Sequence, residues 1–353
     1  MIPYYIFFIF SLLFILFDRT SISKENKIKL YYLYITICII FFGGRYECDL
    51  DYEQYTFIYE NSPLIGENNY FLKSAILEVE YGFIFCCSLL KTLLLPSQSI
   101  FFLCSIITFI FISKAIWKLS INPFLCIFLY VTHFFNLPFT QIRFGVAMAL
   151  ILYACTYLKQ NNYRKYLIYT FIALSFHTSA LAGFVPLFIK KIKLTQKKTY
   201  FILLLALALL IIPIDSIIHS IVRQIGIYRY IAYLSDTSNK MGMFVLMLVT
   251  SFPFIYYKKF FTSKIKNYYI ILFMILGSFL LLPLGEVALT FARFSTLLFV
   301  ATIILISNYL IVFKKNKLNY FVFYTMIFLY SFVRYKHNLS FMEDYNFFLS
   351  TLF

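Results

Sequence analysis

The sequence predicts an all-α fold, that of a polytopic integral membrane protein, on three observations. Of 353 residues, 62% are hydrophobic and 22% aromatic, and only 13% are charged, whereas about a quarter of the residues of a soluble domain carry charge. The apolar residues gather into twelve runs, at about 2–17, 29–43, 80–95, 99–117, 123–137, 143–158, 166–189, 199–214, 242–257, 268–285, 293–313 and 319–333. At about 1.5 Å per helical residue and about 30 Å of hydrocarbon, several runs are just long enough to cross. Six connections between them are basic: Arg19/Lys24/Lys27/Lys29, Lys114/Lys118, Lys159/Arg164/Lys165, Lys190/Lys191/Lys193/Lys197/Lys198, Lys258/Lys259/Lys264/Lys266 and Lys314/Lys315/Lys317. These tufts hold 21 of the 31 Lys and Arg, with Asp18 and Glu25 as the acids among them. The net charge of +16 therefore reads as a topology signal, and no nucleic-acid partner is expected.

The elements follow in order. The first run, Ile2 to Phe17, has no basic region before it and no small-residue cleavage site after it, so it is expected to be a retained helix. Placing all six tufts in the cytoplasm has two consequences. The run 80–95 starts and ends outside and is expected to be re-entrant or interfacial. Residues 166–189, with tufts at both ends, go out and come back, with the fold-back near His177. The expectation is one transmembrane domain over 1–353 with about 12 transmembrane helices, including short or re-entrant ones, and with both termini outside. Residues 44–79 form an acidic outer loop and 215–241 an outer amphipathic loop. Irregular backbone at membrane depth is tolerated only where protein covers it or it lines a wet cavity, so both irregular places point to one outward-facing cleft. Cys38, Cys86, Cys87, Cys104, Cys126 and Cys155 lie in apolar runs and Cys48 in a polar loop, as small buried hydrophobes with no disulfide or metal spacing.

The same topology sorts the cations by type. Arg45, Arg143, Arg223, Arg229, Arg293 and Arg334 fall on the outer side, with 13 of the 15 acids. Lysine tufts suit orientation by bulk charge, whereas the planar guanidinium suits bidentate binding of phosphate. A charge at bilayer depth costs on the order of 2.5 to 3.5 kcal/mol and is usually kept for a task. The inner loops are short and carry no phosphate-binding glycine loop, so no cofactor is expected and the substrates should reside in the membrane lipid.

Four stretches carry candidate chemistry. In GRYECDLDYEQY (44–55) Arg45 leaves a helix before Asp51, Tyr52 and Tyr55, a set that suits sugar and phosphate contact or, equally, an interfacial aromatic belt. Its Asp49-x-Asp51 spacing is common in acid-rich loops, and no metal site is assigned. In EVEYGFIF (78–85) Glu80 and Tyr81 head the run that does not cross; Glu80 is a base, an orienting group for an arginine, or an interfacial cap. Gln141 and Arg143 open a helix at the outer surface, where the arginine binds phosphate or snorkels. His177, in ALSFHTSAL (173–181), sits at the fold-back with Thr178 and Ser179 beside it, as a base or a satisfied polar residue.

Taken in order, GRYECDLDYEQY, EYGFIF, QIRFGVAMAL, ALSFHTSAL, IYRYIAYL and FARFSTLLF resemble the EpsG family of Wzy-type bacterial polysaccharide polymerases. The family's loop after the second helix reads R, a few residues, G-x-D-Y, then Y. Asp51, Tyr52 and Tyr55 match it, while Asp49 replaces the glycine. The arginine before a small-residue helix matches Arg143, the H-x-S-A turn matches His177, Ser179 and Ala180, and the late arginine matches Arg293. The resemblance implies a GT-C-like membrane glycosyltransferase acting on polyprenyl-diphosphate-linked repeat units.

The expected activity is transfer of a growing glycan from undecaprenyl diphosphate to a sugar hydroxyl of a lipid-linked repeat unit, on the outer face of the bacterial cytoplasmic (inner) membrane. His177 is the first candidate base, Asp51 or Glu80 the second. Arg45, Arg143, Arg229, Arg293, Tyr52, Tyr55, Tyr81, Gln141 and Ser179 are the candidate substrate-binding set. Undecaprenyl-diphosphate-linked oligosaccharides and membrane lipid are the expected partners, with a chain-length regulator protein as a further candidate. An O-antigen ligase shares the chemistry but carries its histidine near the late helices, and a flippase should show two related halves.

Overall fold

Apolar runs with prolines at their starts and polar breaks between them build helices, and the structure, a computed structural model, is almost entirely helical. Residues 1–212, 240–265, 267–286, 289–313 and 317–348 are described. The helices are α1 (Ile2–Phe14), α2 (Lys24–Gly43), α3 (Tyr52–Asn61), α4 (Tyr70–Ile76), α5 (Tyr81–Thr92), α6 (Gln98–Leu119), α7 (Pro123–His133), α8 (Asn136–Phe139), α9 (Ile142–Leu158), α10 (Tyr163–Phe176), α11 (Phe184–Lys191), α12 (Gln196–Ile211), α13 (Lys240–Tyr256), α14 (Lys258–Lys264), α15 (Tyr268–Leu281), α16 (Leu289–Phe299), α17 (Ala301–Phe313) and α18 (Lys317–Leu339). The sheet among the described residues is a two-residue antiparallel ladder of β1 (Arg45–Tyr46) with β2 (Asn346–Phe347), in the register Arg45 to Phe347 and Tyr46 to Asn346.

Most expected runs match a helix to within a few residues. The acidic stretch 44–79 differs in holding β1, α3 and α4, because Tyr52, Tyr55, Ile58 and Tyr59 repeat at helical spacing and are buried. The run 166–189 is broken where the fold-back was expected: α10 ends at Phe176, a 3₁₀ turn spans Thr178–Gly183, and α11 begins at Phe184. Both ends of that excursion meet. The Lys190 ammonium donates to the carbonyl of Leu158 and, at 2.7 Å, to Oδ1 of Asn161. The Tyr166 hydroxyl donates to the carbonyl of Gly183. The amphipathic loop expected at 215–241, with Arg223 and Arg229, lies outside the described residues except for its last two positions, which open α13.

Among the described residues four helical stretches are long and apolar enough to cross a membrane, Lys24–Gly43, Gln98–Leu119, Tyr268–Gly285 and Ala292–Val312. A fifth arises if Met241–Tyr256 and Lys258–Lys264, bent by 76°, form one span. Helices such as α5 and α7, of 12 and 11 residues, do not cross alone at about 1.5 Å per residue.

The chain divides into two compact units, one of Met1–Tyr153, Phe171–Thr178 and Val312–Phe353, the other of Ala154–Thr170 and Ser179–Ile311. In the first, many of the abundant aromatics form a core. Tyr4, fully buried, meets Phe41, Phe135, Phe139 and Tyr345 edge-on at 5.4–6.0 Å. Phe7 stacks on Phe41 at 4.1 Å. Such pairs add roughly 0.5–1.5 kcal/mol beyond area burial. The second unit packs α15 through small residues: a Cβ on Gly277 would come within 2.8 Å of Leu298, and Ser278 and Ser295 exchange hydroxyl-to-carbonyl bonds of 2.9 Å, the close contact that apolar helices in lipid need.

Asp18 explains why an acid stands in a basic tuft. Its carboxylate accepts the amides of Phe124 (3.3 Å) and Leu125 (2.8 Å) at the start of α7, so a residue from the end of the first apolar stretch caps a helix about a hundred positions away. Asp18→Ala should lower stability by about 1 kcal/mol, the usual cost of a lost N-cap; a melting temperature in detergent unchanged from wild type would show the cap to be idle.

Candidate functional site

The candidate residues of the first unit resolve into two clusters, each built around an arginine. The first begins where α2 ends. Arg45 is fully buried, and its Nε donates to Oδ2 of Asp49 at 2.6 Å and its Nη1 to the carbonyl of Phe42 at 2.8 Å. The guanidinium lies between the rings of Phe101 and Phe139, 4.7 and 4.8 Å from their centroids. Its Nη2 is buried without a hydrogen-bond partner. Gln98 closes the floor: its Nε2 donates to the carbonyls of Gly43 (2.7 Å) and Arg45 (2.9 Å), and its Oε1 accepts the Tyr52 hydroxyl at 2.8 Å. The tail completes the enclosure through the β1–β2 ladder, with the Phe348 amide donating to Gly44 at 2.8 Å and the Glu343 amide to Cys48 at 3.1 Å.

The second cluster is open. Glu80 precedes α5 and spans two other segments: Oε2 accepts Nη1 of Arg143 at the start of α9, and Oε1 accepts the Thr178 amide at 3.0 Å. The Arg143 and Glu80 side chains are 20% and 16% exposed. The Arg143 guanidinium carbon is 5.9 Å from the Tyr55 ring centroid and 5.8 Å from that of Phe83, and its Nε makes no hydrogen bond. The fold-back places His177 here, nearly buried, its ring edge-on to Phe144 at 5.2 Å. Gly82 permits the approach, since a Cβ there would meet Ser175 Oγ at 2.2 Å and the Ser175 carbonyl oxygen at 2.6 Å.

Glu80, Arg143, His177 and Tyr55 thus come together from four separate stretches of sequence. Asp51 sits half-buried just before α3, where its carbonyl accepts the Tyr55 amide at 3.1 Å. Tyr81 is exposed beside Glu80, and Gln141 is half-buried two residues before Arg143. Ser179 and Arg293 belong to the second unit, Ser179 buried and Arg293 half-buried on α16; Arg229 lies outside the described residues. Both oxygens of Asp49 are occupied, by Arg45 and by the Asp51 amide at 3.2 Å, and no group of three metal-binding side chains occurs among the described residues. Sequence reasoning passed over Gln98 and the tail at 343–348. The one available signal was a glutamine heading an otherwise apolar run.

The arrangement suits anion chemistry at a partly dehydrated surface: a fixed guanidinium with donors beyond those its carboxylate uses, Tyr55 against it, and His177 next in sequence to the amide that the same carboxylate holds. The EpsG family matches over residues 28–350, nearly the whole chain. The chain belongs to the EpsG family. EpsG proteins are Wzy-type polymerase-like, and membership makes this chain a polysaccharide polymerase-like membrane protein. No curated protein and no solved structure matches it. The match takes in every segment of the Glu80–Arg143–His177 cluster, so that cluster is part of this chain's EpsG body.

The two arginines should respond oppositely to mutation. Asp49→Ala leaves a buried guanidinium without its counter-ion, at a cost of about 3–5 kcal/mol, and should sharply reduce folded protein recovered from membranes. Near-normal yield would mean that Arg45 reaches solvent. Arg143→Lys should leave yield and melting temperature close to wild type while polymer synthesis drops at least tenfold, since a point charge does not reproduce a planar fork; lysine supporting full synthesis would reduce Arg143 to an anchor.

Proposed function

We propose that this EpsG protein is a polysaccharide polymerase that transfers a growing glycan from undecaprenyl diphosphate to a sugar hydroxyl of a lipid-linked repeat unit, at the outer face of the bacterial cytoplasmic membrane. The observation that carries this reading is the partly exposed Arg143 guanidinium, held by Glu80 on the same carboxylate that fixes the amide next to His177. In the reaction the glycosidic bond to the diphosphate breaks as the acceptor oxygen bonds to the anomeric carbon. The diphosphate leaves with its charge, and the acceptor hydroxyl loses a proton. Arg143 meets the departing charge in a site already oriented for it, so little reorganisation is needed at the moment of reaction. Arg293, in the second unit, is a separate candidate for diphosphate contact, as the match to the family's late arginine.

His177 takes the acceptor proton, a role worth roughly 10² to 10⁴ in rate. Glu80 holds Arg143 and the Thr178 amide in position. Asp51 or Glu80 is the alternative base. Tyr55 and the exposed Tyr81 flank the sugar. The accompanying topology is GT-C-like, with about twelve passes counting short and re-entrant ones and with the basic tufts inside. Lys190 bonding back to Leu158 and Asn161 supports the out-and-back course of 163–191 within it.

Deleting the gene and running the surface polysaccharide on a gel tests the activity: lipid-linked single repeat units mark a polymerase, and full-length chains left on the carrier point to a ligase. For the base, His177→Gln should abolish chain growth while lipid-linked donor still binds. Substantial polymer from the glutamine variant would move the role to the carboxylates, Asp51 or Glu80.

A further inference from the structure

A second charged pocket lies wholly in the second unit, away in sequence from the groups assigned to catalysis. Its volume is about 460 Å³, and Lys159, Lys190 and Lys193 line it together with Tyr269, Ile270 and Phe273, with no carboxylate among the described lining residues. Three ammonium groups around one cavity repel one another unless an anion joins them. Lys190 is fixed in place, two of its three donors held by Leu158 and Asn161. A further lining residue, Thr195, caps the sixteen-residue helix α12 by accepting the Lys198 amide at 3.3 Å, and a helix N-terminus adds partial positive charge to the same space. The floor has the opposite character: Ile270 and Phe273 are buried apolar residues on the membrane-length stretch Tyr268–Gly285, and Tyr269, 44% exposed, stands at its start, the position aromatic side chains take at a bilayer surface.

We infer that this pocket is a binding site for an anionic phospholipid, whose phosphate sits among Lys159, Lys190 and Lys193 and whose acyl chain runs along Ile270 and Phe273. A free phosphate satisfies the lysines but leaves the apolar floor unused, which is why the occupant is a lipid. Clusters of lysine at the end of a membrane helix attract acidic headgroups in just this way.

The test is native mass spectrometry of the purified full-length protein in micelles doped with equal amounts of phosphatidylglycerol and phosphatidylcholine. Wild type should retain phosphatidylglycerol in clear preference, and Lys159→Gln with Lys193→Gln should lower that retention by roughly tenfold or more. Both side chains are exposed, so the variant should melt with wild type, and Lys197→Gln with Lys198→Gln, which changes charge equally outside the pocket lining, should keep the preference. Added inorganic phosphate at millimolar concentration should not displace the lipid. Equal retention of the two lipids, undiminished retention in the Lys159/Lys193 variant, equal loss in the Lys197/Lys198 control, or displacement by inorganic phosphate would each overturn the proposal.

Discussion

A charge placed in apolar surroundings has to be compensated where it stands, and the first unit is arranged around two arginines that meet this demand in different ways. Arg45 is enclosed completely: Asp49, a backbone carbonyl and two aromatic faces surround it, Gln98 and the C-terminal tail close the surrounding shell, and its Nη2 alone lacks a hydrogen-bond partner. Arg143 is compensated partially, by Glu80 on one side and aromatic rings on the other. Full enclosure makes an arginine structural, since any ligand would have to displace its partners. Partial enclosure leaves a charge that is oriented yet accessible, the condition for stabilising an anion that appears during a reaction.

Glu80 couples the second arginine to the fold-back at His177. One carboxylate accepts from a guanidinium and from a backbone amide, so the positions of Arg143 and of the His177 turn are set by the same atoms. The small side of Gly82 lets α5 approach Ser175, and without that approach the carboxylate would not reach the Thr178 amide. The short length of α5 suits this role: a helix that does not need to cross can present its first turn, and the acid before it, to the interior of the site.

Aromatic residues serve two purposes that composition alone does not separate. Tyr4, Phe41, Phe135 and Phe139 fill the space between helices, while Phe101, Phe139, Tyr55 and Phe83 lie against guanidinium groups, where the ring faces offer partial negative charge to cations removed from water. In the second unit aromatic pairs such as Phe254 with Tyr268 at 4.3 Å are joined by close helix contacts at Gly277 and the Ser278–Ser295 exchange.

The sequence by itself determined the class of protein and most of its helices, because long apolar runs broken by basic tufts leave a chain few ways to satisfy its backbone in lipid. It also placed the fold-back near His177, since tufts at both ends of 166–189 allow no single crossing, and it singled out Glu80, Arg143 and His177 from charge in apolar context. What it left open was which partner each charge finds. That Arg45 pairs with Asp49 four residues on, while Arg143 reaches Glu80 across 63 positions, depends on which helices pack together, and helix packing is decided by the shapes of many side chains at once. The helix α3 carries a helical repeat in Tyr52, Tyr55, Ile58 and Tyr59, but one of only ten residues inside an acidic stretch, and the tail strand at 346–347 is ordered by its long-range pairing with β1, which leaves no trace in its own sequence.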